Sequence, residues 1–202
     1  MSAILPYMSA YHRGSLALVT AFEPWADFDL NSSWEAVRLL KGHTRIRIAR
    51  LPVDHERAAQ ALQEALLDLE PHVCLCCGMA AGAPRPRLER WVRRPGHVDR
   101  AEGPDVLAAH WPIGEPLRLF ANEGLRLVSF DDPGDFVCGT TMWALLNFRR
   151  RHGWPRWAGF LHVPSVGDAC PRRRWPRPFE LWWRTGFAGP RPARATRPAV
   201  GS

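Results

Sequence analysis

The sequence predicts an α/β chain folded as a three-layer α/β/α sandwich around a mostly parallel, mixed central sheet. Three observations lead there. Short apolar runs recur at 16–22, 45–51, 72–78, 125–130 and 157–163. Helical patterns separate most of them, and the longest, 54–71, is bounded by Asp54 and Pro71. Strands that alternate with helices build a mainly parallel sheet with both faces covered.

The elements follow in order. "LALVTAF" (16–22) reads as the first strand. "SSWEAVRLLKG" (32–42) reads as a helix with Ser32 or Ser33 as its cap. "RIRIARL" (45–51) alternates like a strand, and "DHERAAQALQEALLDLEP" (54–71) is an amphipathic helix capped by Asp54. "HVCLCCG" (72–78) is a buried strand, and "RLERWVRR" (87–94) is a strand or a short edge element. "GEPLRLFANEG" (114–124) reads as a helix and "LRLVSF" (125–130) as a strand. From Cys138 an amphipathic helix runs with Met142, Leu145, Leu146 and Phe148 at helical spacing. The strand "WAGFLHV" (157–163) comes next, and residues 177–188 form a last helix opened by Pro178. We expect an extension over 1–15, one domain over 16–189, and a disordered Pro/Arg/Ala tail over 190–202.

Composition narrows the function classes. The chain has 202 residues and a net charge of +7. From Pro171 onward there are eight arginines and one acid, Glu180, so that segment accounts for the whole excess and the body is near neutral. The body shows no basic stripe interleaved with aromatics, so nucleic acid is not the expected partner. No apolar run approaches the ~20 residues of a membrane span, and the first residues lack a signal-peptide pattern. The expected location is the cytoplasm. Neither G-x-x-x-x-G-K-[ST] nor G-x-G-x-x-G occurs, so no nucleotide cofactor is expected. Of the five cysteines, three crowd "VCLCCG". Without a second C-x-x-C, and with neighbouring strand positions on opposite faces, these read as small buried thiols rather than a metal set.

Cys138 differs from them. It opens a helix, where unpaired N–H groups and the helix dipole favour a thiolate and lower a thiol pKa from the usual ~8.5. Sites in open α/β sheets gather at the carboxyl ends of strands. There the sequence puts Phe22, Trp25 and Asn31 after the first strand, and His162 at the end of the last. Glu89 follows the loop that leaves "VCLCCG". A His–Cys pair with a carboxylate behind the imidazole is a nucleophile with its base. Each residue also has a plain reading: Cys138 as a small core residue, His162 as a strand-end histidine, Glu89 as a surface acid beside Arg90, and Phe22 and Trp25 as loop packing.

The segments "LVTAFEPW", "NSSWEAV", "LPVDHERAAQAL", "VCLCCGMAAG", "LER", "FVCGTTMWALLNF" and "GFLHVPSV" occur in this order from about residue 16 to 167. Together they resemble the pyroglutamyl peptidase I (pyrrolidone carboxyl peptidase) family of cysteine peptidases. The resemblance implies an α/β/α fold and hydrolysis of the amide bond after an N-terminal pyroglutamyl residue. It implies Cys138 as nucleophile, His162 as general base and acid, and Glu89 as the group that orients the imidazole. The lactam ring would lie between Phe22 and Trp25, with Phe136 and Val137 lining the other side. Backbone groups of Met79 would grip it, and Asn31 would hold the aromatic loop. Backbone N–H groups at the helix start, Cys138 included, would meet the oxyanion. No metal or cofactor is implied. The partner is a peptide with N-terminal pyroglutamate, and a homo-oligomer is a further expectation. The chain departs from the family pattern in several places: Met79 stands where glutamine is usual, "RPFELWWRTGF" replaces the C-terminal helix, and three changes lie nearer the site. Trp25-Ala26-Asp27 replaces F-G-G, Gly139 replaces an asparagine, and the segment after Glu89 is shorter. These departures keep two other readings open. One is a related cysteine hydrolase with another substrate, or a pseudo-peptidase. The other is a binding protein that works through the arginine-rich tail.

Overall fold

The computed structural model describes residues 16–26, 28–111 and 126–165. Its strands are β1 (Ala17–Phe22), β2 (Ile46–Leu51), β3 (Val73–Ala80), β4 (Arg87–Glu89), β5 (Trp91–Arg93), β6 (Val106–Ala108), β7 (Val128–Phe130) and β8 (Trp157–Pro164). Its helices are α1 (Ser32–Val37), α2 (His55–Leu69) and α3 (Val137–His152). Six strands form one sheet in the order β2-β1-β3-β8-β4-β7, and β5 pairs with β6 in a separate hairpin. Every pair in the large sheet is parallel except β4 with β8. The sheet is therefore mixed and mostly parallel, as the alternation of patterns predicts. The expected helices at 114–124 and 177–188, the N-terminal extension, the tail and Cys170 lie outside the described residues.

Two cores lie on the two faces of the sheet. Ala17, Val19, Ala21, Leu75, Cys77, Leu161 and Val163 face one way and pack with Val37 and Trp34 of α1. Leu18, Phe22, Cys74, Cys76, Ala158 and Phe160 face the other way and meet Leu62 and Leu66 of α2 and Met142 and Leu145 of α3. This is the period-2 alternation of strands buried on both faces. In α2 the buried stripe is Ala58, Leu62 and Leu66, four residues apart. Each buried leucine contributes about 1.5–3 kcal/mol. Asp54 caps α2 by accepting from the Arg57 N–H at 2.9 Å, and Glu70 ends it in a left-handed conformation just before Pro71.

Three local expectations change. The cap of α1 is Asn31, whose Oδ1 accepts from the Ser33 N–H at 3.0 Å, rather than Ser32 or Ser33. The helix over 32–42 is shorter and tightens into a 3-10 turn at Arg38–Leu40. The helix from Cys138 is not amphipathic over its first three turns, because every residue from Val137 to Phe148 is buried. The segment after Glu89 provides the missing cover. There Trp143 donates to the Pro104 carbonyl at 3.3 Å and Asn147 to that of Glu102 at 3.0 Å. The 87–94 run resolves into two strands, β4 in the main sheet and β5 in the hairpin.

Candidate active site

The site lies on the α2/α3 side of the sheet, at the carboxyl ends of β1, β3 and β8. Gly78 of β3 sits beside His162 of β8 in parallel register, and Arg87 of β4 sits opposite His162 in antiparallel register. Glu89, two residues past Arg87, shares that face and lies diagonally across from His162. The antiparallel strand is what makes this meeting. His162 Nδ1 and Glu89 Oε1 are 2.8 Å apart. Glu89 is 1% exposed and His162 6%, which removes the reading of Glu89 as a surface acid. Arg90, its neighbour, turns outward to pair with Asp131.

A carboxylate only accepts, so Nδ1 is the donor in this contact, which leaves Nε2 as the nitrogen that can exchange a proton. Among the described residues, Glu89 Oε2 is buried without a hydrogen-bond partner. An imidazolium formed there has its counter-ion in place.

Cys138 enters from α3 and is buried at 7% exposure. Its room exists because residue 78 is glycine. A Cβ at Gly78 would stand 2.8 Å from Cys138 Sγ and 2.9 Å from Phe160 Cζ. Residue 139 is glycine for a similar reason. A Cβ there would stand 1.9 Å from the Gly134 carbonyl oxygen, so the loop before α3 can cross the helix start only over a glycine. This accounts for the absence of the family's asparagine.

The thiol itself differs from the expectation. Burial pushes its pKa up to about 12, with the charge of Glu89 and then Cys76 adding to the rise, while its own backbone N–H pulls the other way. Desolvation outweighs the helix N-terminus here, so burial favours the thiol over the thiolate. The oxyanion donors narrow as well. The N–H groups of Gly139 and Thr140 both point at the Phe136 carbonyl, at 2.8 and 3.3 Å. Among the expected donors, the Cys138 N–H remains.

Beside the thiol is a small cleft that opens to solvent. It is lined by Phe22, Trp25, Asn31, Val53, Met79, Phe136, Val137 and Cys138. The structure thus gathers all six expected substrate-side residues around the Cys138 thiol. Val53 was not anticipated, although its place at the exit of β2 was a usable signal. Asn31 is 2% exposed. Its Nδ2 donates to the Glu23 carbonyl at 3.0 Å, and its Oδ1 accepts from the Ser33 hydroxyl at 2.7 Å. One side chain thereby caps α1 and fixes the aromatic loop after β1. Trp25 packs on Phe136 with ring centroids 5.0 Å apart.

A thiol at a helix start, a buried imidazole–carboxylate pair and an adjoining apolar cavity on a three-layer sheet are the equipment of a cysteine hydrolase. The family profile for pyroglutamyl peptidase matches residues 16–173, and the chain belongs to that family of cysteine exopeptidases. A pyrrolidone-carboxylate peptidase from Chromobacterium violaceum is 32% identical over 182 residues, covering 81% of this chain and 83% of its own. One from Cupriavidus taiwanensis is 31% identical over 175 residues, covering 77% of this chain and 81% of its own. The crystal structure of pyroglutamyl peptidase I from Bacillus amyloliquefaciens superposes with a TM-score of 0.72 at 22% identity, over 83% of this chain and 94% of its own. A pyrrolidone carboxyl peptidase from Pyrococcus furiosus gives 0.72 at 19% identity, over 82% and 94%. At these identities the two structures speak for the fold.

Proposed function

We propose that this chain hydrolyses the amide bond after an N-terminal pyroglutamyl residue, with Cys138 as nucleophile, His162 as general base and acid, and Glu89 as the residue that orients His162. The buried 2.8 Å contact between His162 and Glu89, on the sheet face that Cys138 enters, carries this reading. The lactam ring enters between Phe22 and Trp25, with Phe136 and Val137 lining the other side, against the Met79 backbone.

Because the resting group is a thiol, its proton leaves as the bond forms. His162 Nε2 takes the proton from Sγ while sulfur attacks the acyl carbon, and Glu89 balances the imidazolium. The Cys138 N–H faces the oxyanion. Collapse breaks the C–N bond, and the imidazolium protonates the leaving amine. The thioester then takes a water whose proton passes to His162. Its C–S bond breaks, pyroglutamate leaves, and the proton returns to sulfur. No step draws on a metal or cofactor. The described cysteines 74, 76, 77 and 138 are all free thiols, which suits a reducing compartment. We place the enzyme in the cytoplasm on that ground. No helix among the described residues is long and apolar enough to cross a membrane.

A fluorogenic pyroglutamyl amide is the direct test. Release of the fluorophore should be abolished by iodoacetamide and by Cys138→Ala, and be indifferent to a chelator. Loss with chelator and recovery with zinc would overturn the thiol mechanism.

A further inference from the structure

Phe136 is the cavity wall with the least support. It is 46% exposed, and it stands at the cap position of α3 without a side-chain capping bond. Rings hold it from two sides. Trp25 lies 5.0 Å away and is itself backed by Phe28 at 5.5 Å. His55 approaches from the other side, edge-on at 83°, with centroids 6.1 Å apart. His55 in turn meets His97 edge-on at 4.6 Å.

This row of rings is tied to the nucleophile's helix through one hydroxyl. His55 Nδ1 is 2.7 Å from Thr140 Oγ1, and His97 Nε2 is 3.5 Å from the same oxygen. Thr140 is buried on the first turn of α3, two residues after Cys138. His55 is the first residue of α2, fixed in place by the Asp54 cap. One imidazole therefore connects the start of α2, the first turn of α3 and the exposed wall of the cavity.

We infer that His55 is a positioning residue that sets the Phe136 wall of the lactam site through its ring edge and its hydrogen bond to Thr140. The inference rests on the pocket reading above. His55 touches neither Cys138 nor the His162–Glu89 pair in any contact described. Its loss should therefore loosen ground-state binding and leave the chemical step alone. An edge-to-face contact of this kind is worth roughly a three- to tenfold change in affinity.

The test uses the full chain and kinetics on a fluorogenic pyroglutamyl amide. His55→Ala should raise KM roughly three- to tenfold with kcat within about twofold. His55→Phe, which restores a ring edge, should recover most of the KM. Thr140→Val, which removes the tether, should fall between them. A second readout does not need turnover: 2-pyrrolidone, the lactam ring alone, should protect Cys138 from iodoacetamide, and protection should weaken in His55→Ala by the same factor. Unchanged KM and protection in His55→Ala would overturn the inference. So would a fall in kcat at constant KM, or a phenylalanine variant no better than alanine. If His55→Ala melts early, the Phe and Val variants decide the matter. A wild type that 2-pyrrolidone protects but that leaves the amide intact would sink the peptidase reading while the protection series still judges His55. A wild type showing neither would overturn both.

Discussion

Cys138 has two roles set by one environment. In the proposed mechanism, the burial that encloses the Cys138 sulfur also holds its proton, so reactivity depends on His162 receiving that proton during attack. Removing the base should therefore cost about as much as removing the sulfur, and disturbing the orienting acid should cost less. His162→Ala should abolish turnover. Glu89→Gln should cut it roughly a hundredfold or more, since it disturbs tautomer and charge while leaving the thiol intact. The double variant should cost little more than His162→Ala alone, as read from kcat on the fluorogenic amide. The raised thiol pKa also bears on stability. Above the ordinary thiol range an unfolded chain gives up this proton while the folded chain keeps it. The folded state then binds more protons, and stability falls as pH rises from ~8.5 towards about 12. Cys74 and Cys77, also pushed up by burial, act in the same direction. Cys138→Ala should flatten part of that alkaline loss, measured as urea midpoints between pH 8 and 10.5. An identical slope in wild type and variant would refute the buried-thiol account.

Between β1 and α1, a single amide links local structure to the site. Asn31 caps the helix and grips the Glu23 carbonyl, so Asn31→Ala should lose about 1 kcal/mol from the cap and also free the loop that carries Trp25. The expected result is a lower melting temperature together with a raised KM. A stability loss with unchanged KM would separate the cap from the pocket. Glycines 78 and 139 are constraints of the same scale. Gly78→Ala places a methyl 2.8 Å from Cys138 Sγ, and should displace the nucleophile and suppress turnover even where the fold survives.

For the molecule as a whole, the family match ends at residue 173. The positive charge gathers beyond Pro171. Removing 190–202, whose Pro/Arg/Ala composition offers little apolar surface to bury, should leave melting temperature and turnover close to wild type. A domain of this size moves by only about 2–4 °C per kcal/mol, so a ten-degree fall would show that the tail packs on the body.

What the sequence determined by itself was everything encoded by local pattern and short motif. The alternation of apolar runs and helices identified the layers, Asp54 and Pro71 bounded α2, and the quoted segments pointed to Cys138, His162 and the aromatic loop. Long-range pairing decided the rest. That Glu89 is buried against His162 depends on β4 running antiparallel to β8, a direction that three residues cannot specify. That the first three turns of α3 are buried on all sides depends on the segment after Glu89 lying over them, which no helical period records. The protonated state of Cys138 also belongs to the fold: the helix start favours thiolate and is visible in sequence, whereas the stronger desolvation exists only once sheet, helix and hairpin have closed around the sulfur.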